Sequence, residues 1–202
     1  MKYKAFGFDW SGVIFGQPGS YFSKGASEIL GVTSEEFQKT YFKHNSIINL
    51  GNNSFNRFWE TVASELGKKE KLNDLINFIK NQPKREINQN VVDIIKALKN
   101  KKYKLGLLSN NTTEEGQKIK DSFAAKYFDV ILISADIGYM KPQKQAFEML
   151  AEKLGVRLSE LVFIDDAEHS LRGSKEIGYH PVIYTDCKNL RQQLIKLGAL
   201  NK

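Results

Sequence analysis

Cysteine is nearly absent. Cys187 is the only one in the chain, so there is no intramolecular disulfide and no cysteine-based zinc site. No apolar run reaches the roughly 20 residues that a membrane-spanning helix needs. The N-terminal stretch MKYKAFGFDW lacks the apolar run and cleavage site of a secretory signal, and a cytoplasmic protein is the expectation. Internal repeats and low-complexity linkers are missing too. Acidic residues are outnumbered: 30 Lys and Arg against 23 Asp and Glu give a formal net charge of +7. An excess of that sign suits a nucleic-acid binder. The lysines, however, are scattered (Lys68, Lys69, Lys71, Lys99, Lys101, Lys102, Lys104, Lys118, Lys120), mostly at helix ends and turns, with few aromatics among them. That pattern reads as a solvated surface with a mild pull on small anions. Neither nucleic acid nor a membrane is expected as a partner, and no feature sets an oligomeric state.

What is present is ordinary globular material: 202 residues, 41% hydrophobic and 26% charged. That suits one domain, or a core with an insertion, with a substantial apolar centre. Five runs read as buried strands: residues 3–8 (YKAFGF), 104–108 (KLGLL), 129–134 (DVILIS), 161–164 (LVFI) and 181–184 (PVIY). Their lack of polar alternation suits strands covered on both faces. Helical patterns lie between them. QKQAFEMLAEKLG places Phe147, Leu150, Ala151 and Leu154 on one face and ends on Gly155, a good helix stop. Strand–helix alternation predicts an α/β fold with a Rossmann-like parallel sheet and right-handed crossovers.

Residues 16–86 carry no strand signal. Thr33 and Glu36 have capping-box spacing. SFNRFWETVASELG stacks Phe55, Phe58, Trp59, Val62 and Leu66; KLNDLINFIKN stacks Leu72, Leu75, Ile76 and Ile79. These amphipathic helices predict a helical cap over 16–86. It interrupts a Rossmann-like catalytic core made of residues 1–15 and 87–202.

Polar groups follow the strands. Asp9 comes after the first, in FGFDWSGV; Ser109, Asn110 and Asn111 after the second; Lys141-Pro142 near the third; Asp165 and Asp166 after the fourth. Taken singly, each has a plain explanation: a strand-end acid, a helix cap, a surface lysine, a turn. In a parallel sheet, however, all of them fall in the carboxyl-end loops, where ligands bind. Three carboxylates around one cleft need a hard cation, and Mg²⁺ takes oxygen ligands with waters and substrate phosphate. A carboxylate can also attack phosphorus and form an aspartyl-phosphate. The phosphoryl oxygens then need donors and positive charge, which a serine, an amide and a lysine supply.

At this point the chain resembles the haloacid-dehalogenase-like (HAD) hydrolases, in the phosphatase branch with a small helical cap after the first strand. The four motifs are FGFDWSGV, LGLLSNN, DIGYMKP and VFIDDAEHS, in order through nearly the whole chain. The resemblance implies that Asp9 is the nucleophile and that Ser109 and Lys141 hold the transferring phosphoryl group. It implies Mg²⁺ on Asp9, Asp166 and the Ser11 carbonyl, with Asp165 in support. Asn110 is a further phosphate contact. The substrate implied is a small phosphorylated metabolite. A two-component receiver domain uses similar groups, but its acidic pair comes at the first strand; here the pair comes last. Dehalogenases of the family lack that pair.

Ser11 departs from the phosphatase pattern, which has a second aspartate at this position to protonate the leaving alcohol and activate water. A hydroxyl is a poor acid and a poor base near neutral pH. Three accounts follow. Hydrolysis proceeds with a good leaving group or with help from the cap, His44 being a candidate acid. Alternatively DWSG, close to the DWAG of phosphonoacetaldehyde hydrolases, marks C–P cleavage through a cap lysine such as Lys39 or Lys43. Or the protein is a weakly catalytic phospholigand-binding module. Tyr21, Phe22, His44, Arg57 and Trp59 are candidate specificity residues in the cap, and His169 a candidate for the cleft wall. His180, before Pro181, reads as a turn into the last strand.

Overall fold

The computed structural model describes residues 2–16, 19–50, 55–82 and 85–201. Gly51 and Ser54, where two of the expected helical stretches end and begin, lie outside these residues, as do Gln17, Pro18, Pro83 and Lys84.

The elements in order are β1 (Ala5–Phe8), α1 (Gly19–Leu30), α2 (Ser34–His44), α3 (Ser46–Asn49), α4 (Phe55–Glu65), α5 (Leu72–Lys80), α6 (Gln89–Asn100), β2 (Lys104–Ser109), α7 (Thr113–Asp121), β3 (Val130–Ile133), α8 (Ser134–Ile137), α9 (Lys144–Leu154), β4 (Leu161–Asp165), α10 (Ser174–Ile177), β5 (His180–Ile183) and α11 (Cys187–Lys196). The five strands form one sheet in the order β3-β2-β1-β4-β5, and every pairing is parallel. The expected α/β class and all five strands are present.

Both faces of the sheet are covered, which is why the strands read as unbroken apolar runs. Phe6, Phe8, Leu105, Leu107, Val162 and Ile164 face α6 and α11. Ala5, Leu108, Leu132, Leu161 and Phe163 face α9, which buries Phe147, Leu150, Ala151 and Leu154 as its spacing predicts. Each large side chain among these contributes about 1.5–3 kcal/mol by leaving water. The central strand is flanked so closely that a Cβ on Gly7 would lie 2.5 Å from the Phe163 ring.

Helices α1–α5 have an apolar cluster of their own, built on Ala26, Leu30, Phe37, Phe58, Trp59, Val62 and Leu75. The capping box at Thr33 and Glu36 forms as expected. Phe55 does not join the buried face; it is 43% exposed at the start of α4. The two chain segments that connect these helices to the sheet run side by side. Gly16 N donates to Glu86 O at 2.9 Å, and Asn88 N to Ile14 O at 2.8 Å.

Helix α6 ends in an unusual way. Tyr103 N donates to Leu98 O and Lys102 N to Lys99 O, a Schellman pattern that places Lys102 at the left-handed position. Its φ is +68°, a region that costs an L side chain about 1–2 kcal/mol. Lys102→Gly is therefore expected to raise stability by about 0.5–1 kcal/mol, net of the entropy glycine adds to the unfolded chain. Urea titration reads this as a higher midpoint at unchanged slope.

Candidate active site

Strand register gathers the site. Phe8 pairs with Leu107 on one side and Ile164 on the other. The next residue, Asp9, donates its N–H to Ile164 O at 2.8 Å and so emerges beside Asp165. Ser109 ends β2 next door and is buried. The chain passes β1 toward β2 on one side and returns to β4 on the other, so this is where the strand order reverses, the usual ligand position in such sheets.

Lys141 is the hub. Its side chain is 1% exposed, and its Nζ lies 2.8 Å from Asp9 Oδ1 and 2.6 Å from Asp165 Oδ2. The Phe163 ring lies beneath it, with Nζ 5.3 Å from the centroid. The other oxygen of Asp165 accepts the Ala167 N–H at 2.9 Å. Asp165 is thus committed on both sides, in keeping with a supporting role. Asp166 Oδ2 accepts the N–H of Gly19, the first residue of α1.

Asn110 does not reach forward with its amide. Its Nδ2 donates to Lys141 O at 2.9 Å and its Oδ1 accepts Lys141 N–H at 2.8 Å. The side chain expected to touch phosphate is occupied in clamping the lysine's backbone. Nor do Ser109 and Asn110 cap the following helix; Thr112 does, accepting from Glu115 N.

Ser11 and Gly12 lie in a tight loop. Ile14 N and Phe15 N both donate to Trp10 O at 2.9 Å, and the Trp10 and Phe15 rings stack. Gly12 has φ +83°, and a Cβ there would collide with the Asp166 carboxylate. Glycine is the residue that lets this loop lie against the acid.

Burial shapes the charges. It pushes the Asp9 carboxyl up to about 7, with Asp165 and Asp166 adding to the rise and Lys141 opposing it. It pushes Asp166 to about 6, again with Asp165 adding, while the Gly19 N–H opposes. Burial disfavours the Lys141 ammonium as well, but Asp165 and Asp9 outweigh it and raise its pKa. One carboxylate oxygen from each of Asp9, Asp165 and Asp166 falls within 4.8 Å of the others. Such a set of hard oxygen donors fits Mg²⁺.

Among the described residues the cap meets the core at several places. Besides Gly19 on Asp166, Ser134 Oγ donates to Asn49 O at 2.5 Å. Phe42 lies flat on His169, centroids 4.2 Å apart and planes at 10°; His169 is therefore at the cap–core seam, its pKa lowered by burial first and by Arg172 next. The other cap candidates fall elsewhere. Lys43 Nζ binds both oxygens of Glu65 at 2.8 Å, and His44 Nε2 lies 2.6 Å from Glu65 Oε2. Lys39 and Arg57 are exposed. Phe22 and Trp59 belong to the cap's own apolar cluster, and Tyr21 is exposed. His180 opens β5, its ring against Tyr3. Tyr41, half-buried against the cap cluster, went unremarked in the sequence; its phenol is pushed up by burial first, with Arg85 opposing and Asp166 adding.

A strand-tip aspartate backed by a buried lysine and an acid pair, in a doubly wound sheet beneath a helical insertion, is the framework of a hydrolase. Residues 23–183 match the haloacid dehalogenase-like hydrolase family, and the chain belongs to it. It is similar to bifunctional epoxide hydrolase 2 of Mus musculus, 27% identical over 119 residues, which are 56% of this chain and 21% of that protein. It is similar also to phosphoglycolate phosphatase of Escherichia coli K12, 28% identical over 89 residues, 44% of this chain and 35% of that one. The chain thus covers a minor part of either relative's length. Among solved structures, a HAD phosphatase from Thermococcus onnurineus aligns over 95% of this chain and 97% of its own, with TM-score 0.61 and 20% identity. That likeness is one of fold, and dehalogenases share it.

Proposed function

We propose that this hydrolase is a Mg²⁺-dependent phosphatase of small phosphorylated metabolites, working in the cytoplasm, with neither nucleic acid nor a membrane as partner. The observation that carries the reading is the buried Lys141 between Asp9 and Asp165, with Asp166 beside them. An Asp9 oxygen attacks phosphorus, and the bond from phosphorus to the leaving oxygen breaks. Water then cleaves the aspartyl-phosphate, releasing phosphate and restoring the carboxylate. The Ser109 hydroxyl and the Lys141 ammonium are the groups that meet the phosphoryl oxygens. Asp9, Asp166 and the Ser11 carbonyl would hold Mg²⁺, supported by Asp165; the ion would neutralise charge on the transferring group.

Ser11 shapes the expected substrate profile. A carboxylate acting as general acid contributes about 10²–10⁴-fold, and His44, the cap candidate to replace it, is held by Glu65. Esters whose leaving group needs no proton should therefore turn over fastest. Of the two lysines the sequence offers for C–P cleavage, Lys43 is also held by Glu65 and Lys39 is exposed.

The test is phosphate release with Mg²⁺ and with chelator, over p-nitrophenyl phosphate, sugar phosphates, nucleotides and phosphonoacetaldehyde. The expected result is metal-dependent release, with p-nitrophenyl phosphate ahead of alkyl phosphates by about 100-fold or more in kcat/KM. Silence across the panel, from a folded protein that binds Mg²⁺ and phosphate, replaces this reading with a phospholigand-binding module. Ser11 is the observation that favours that second reading.

A further inference from the structure

The end of the sheet away from the strand-tip acids carries an open hollow of about 370 Å³, lined by Lys99, Asn100, Lys102, Tyr103, Lys104 and Asp129. It lies where α6 turns into β2, beside the start of β3. Six residues of β2 run from Lys104 to Ser109, and at about 3.3 Å each they put the hollow about 16 Å from the candidate active site. Three lysines meet one acid here, and the acid is spent. Asp129 Oδ1 lies 2.6 Å from Lys99 Nζ, and its Oδ2 accepts the Leu105 N–H at 2.8 Å. Among the described residues no carboxylate forms an ion pair with Lys102 or Lys104, and the side-chain amide of Asn100 has no partner. Lys102, Lys104 and Asn100 are all exposed. Tyr103, buried with its ring edge-on to Phe6 at 4.9 Å, anchors the backbone between them.

Lys102 is the residue out of place. Among the described residues nine glycines have a left-handed φ, and Lys102 is the one other residue that does. Gly155 fills the same kind of stop at the end of α9. Glycine would relieve the backbone at position 102 as well, so the lysine is held at a cost to the fold. A side chain held against its backbone preference points to work done by that side chain. Balancing the helix dipole does not supply the work. Lys99 already stands in the last turn of α6, with Lys101 just behind it. The carbonyls of Ala97, Leu98 and Lys99 accept N–H groups of Lys101, Tyr103 and Lys102. A third cation at that helix end adds little.

We propose that this hollow is a second ligand site, which takes a small polyphosphate anion between the Lys102 and Lys104 ammonium groups, with the Asn100 amide as a further donor. Ammonium groups meet phosphate oxygens as point charges, without the fixed fork of arginine. A chain of phosphates that touches both lysines at once is therefore favoured over a single phosphate. The site is separate from the strand-tip chemistry and stands or falls independently of the phosphatase reading.

The test is a titration of isotope-labelled protein, in chelator, with inorganic tripolyphosphate and with orthophosphate, followed through the backbone amide NMR signals. The expected result is a saturable shift at residues 100–104, with tripolyphosphate binding about tenfold tighter than orthophosphate or better. Lys102→Gly should weaken tripolyphosphate binding about fivefold and at the same time raise the urea midpoint. A lysine with only a structural role would not give that combination. Lys144→Met removes an exposed lysine on α9 and should change the affinity by less than about twofold. ATP as a third probe separates the sources of the anion. Affinity equal to that of tripolyphosphate assigns recognition to the phosphate chain alone, and tighter binding assigns it to a nucleotide. Shifts confined to the strand tips, no saturation at residues 100–104, or equal weakening in Lys102→Gly and Lys144→Met overturns the proposal.

Discussion

Asp9→Asn is expected to abolish turnover and, in chelator at pH 8, to make the fold more stable. The first half follows from the nucleophilic role proposed for Asp9: an amide keeps the shape and loses the attacking oxygen, and loss of a nucleophile costs at least about a thousandfold. The second half follows from burial. The Asp9 carboxyl is raised from 3.8 to about 7 by desolvation above all, even with Lys141 Nζ at 2.8 Å. A group whose native pKa lies above its unfolded value stabilises fully below the unfolded value. That stability is lost as pH rises through the native one. For Asp9 the window runs from about pH 4 to about pH 7. At about 1.4 kcal/mol per unit, the metal-free wild type loses on the order of 4 kcal/mol across it. Asparagine carries no charge at any of these pH values and avoids that loss. Asp166 titrates in the same direction, to about 6, and does so in both proteins. Urea midpoints in chelator should therefore coincide near pH 4 and diverge in favour of Asp9→Asn by pH 8. Mg²⁺, bound to the native state as proposed, should narrow the gap when added. A variant less stable than wild type at pH 8 would mean that the charged pair with Lys141 outweighs burial.

The strands were legible because a doubly covered sheet leaves no polar alternation, and 161–164 (LVFI) has only one way to be buried on both faces. The strand-tip residues were legible for a related reason: an acid that ends such a run has no role in the core. The helical insertion showed itself through spacing alone, with Thr33 and Glu36 marking one start. What stayed hidden depends on contacts across the chain. Nothing near Asn110 says that its amide will be spent on the Lys141 backbone, 31 residues away. Glu65 gives no local sign that it will hold Lys43 and His44, so both looked free for chemistry. Lys102 breaks the local rule outright. A lysine at a left-handed helix stop has no sequence signature, whereas Gly155 at the same kind of stop does.

Lys141→Met is expected to be the most damaging substitution of a charged residue in the chain. Methionine keeps most of the length and fills the space over Phe163, so the loss is one of charge. Two carboxylates remain: Asp9, 8% exposed, and Asp165, fully buried, which has lost its 2.6 Å partner. Breaking a buried pair while leaving its partner charged costs about 3–5 kcal/mol, a large part of the 5–15 kcal/mol that holds a domain together. Lys144→Met is the control. Lys144 meets Glu148 at 2.9 Å, but both are well exposed, and such pairs contribute about 0.2–1 kcal/mol. The two losses should therefore differ severalfold in urea midpoint. The cause can be isolated by neutralising what Lys141 leaves behind. Lys141→Met/Asp9→Asn has one buried charge fewer and should recover a good part of the stability, although it is the double variant. Lowering the pH should do the same for Lys141→Met alone, because protonating Asp9 removes the same charge, whereas Lys144→Met should gain nothing comparable. If Lys141→Met instead melts alongside Lys144→Met, the carboxylates do not depend on the lysine, and its place between them serves the substrate alone. The expected result ties the two roles together. On the proposed mechanism, the ammonium that meets the phosphoryl group is also what allows Asp9 and Asp165 to stand side by side at the tips of β1 and β4.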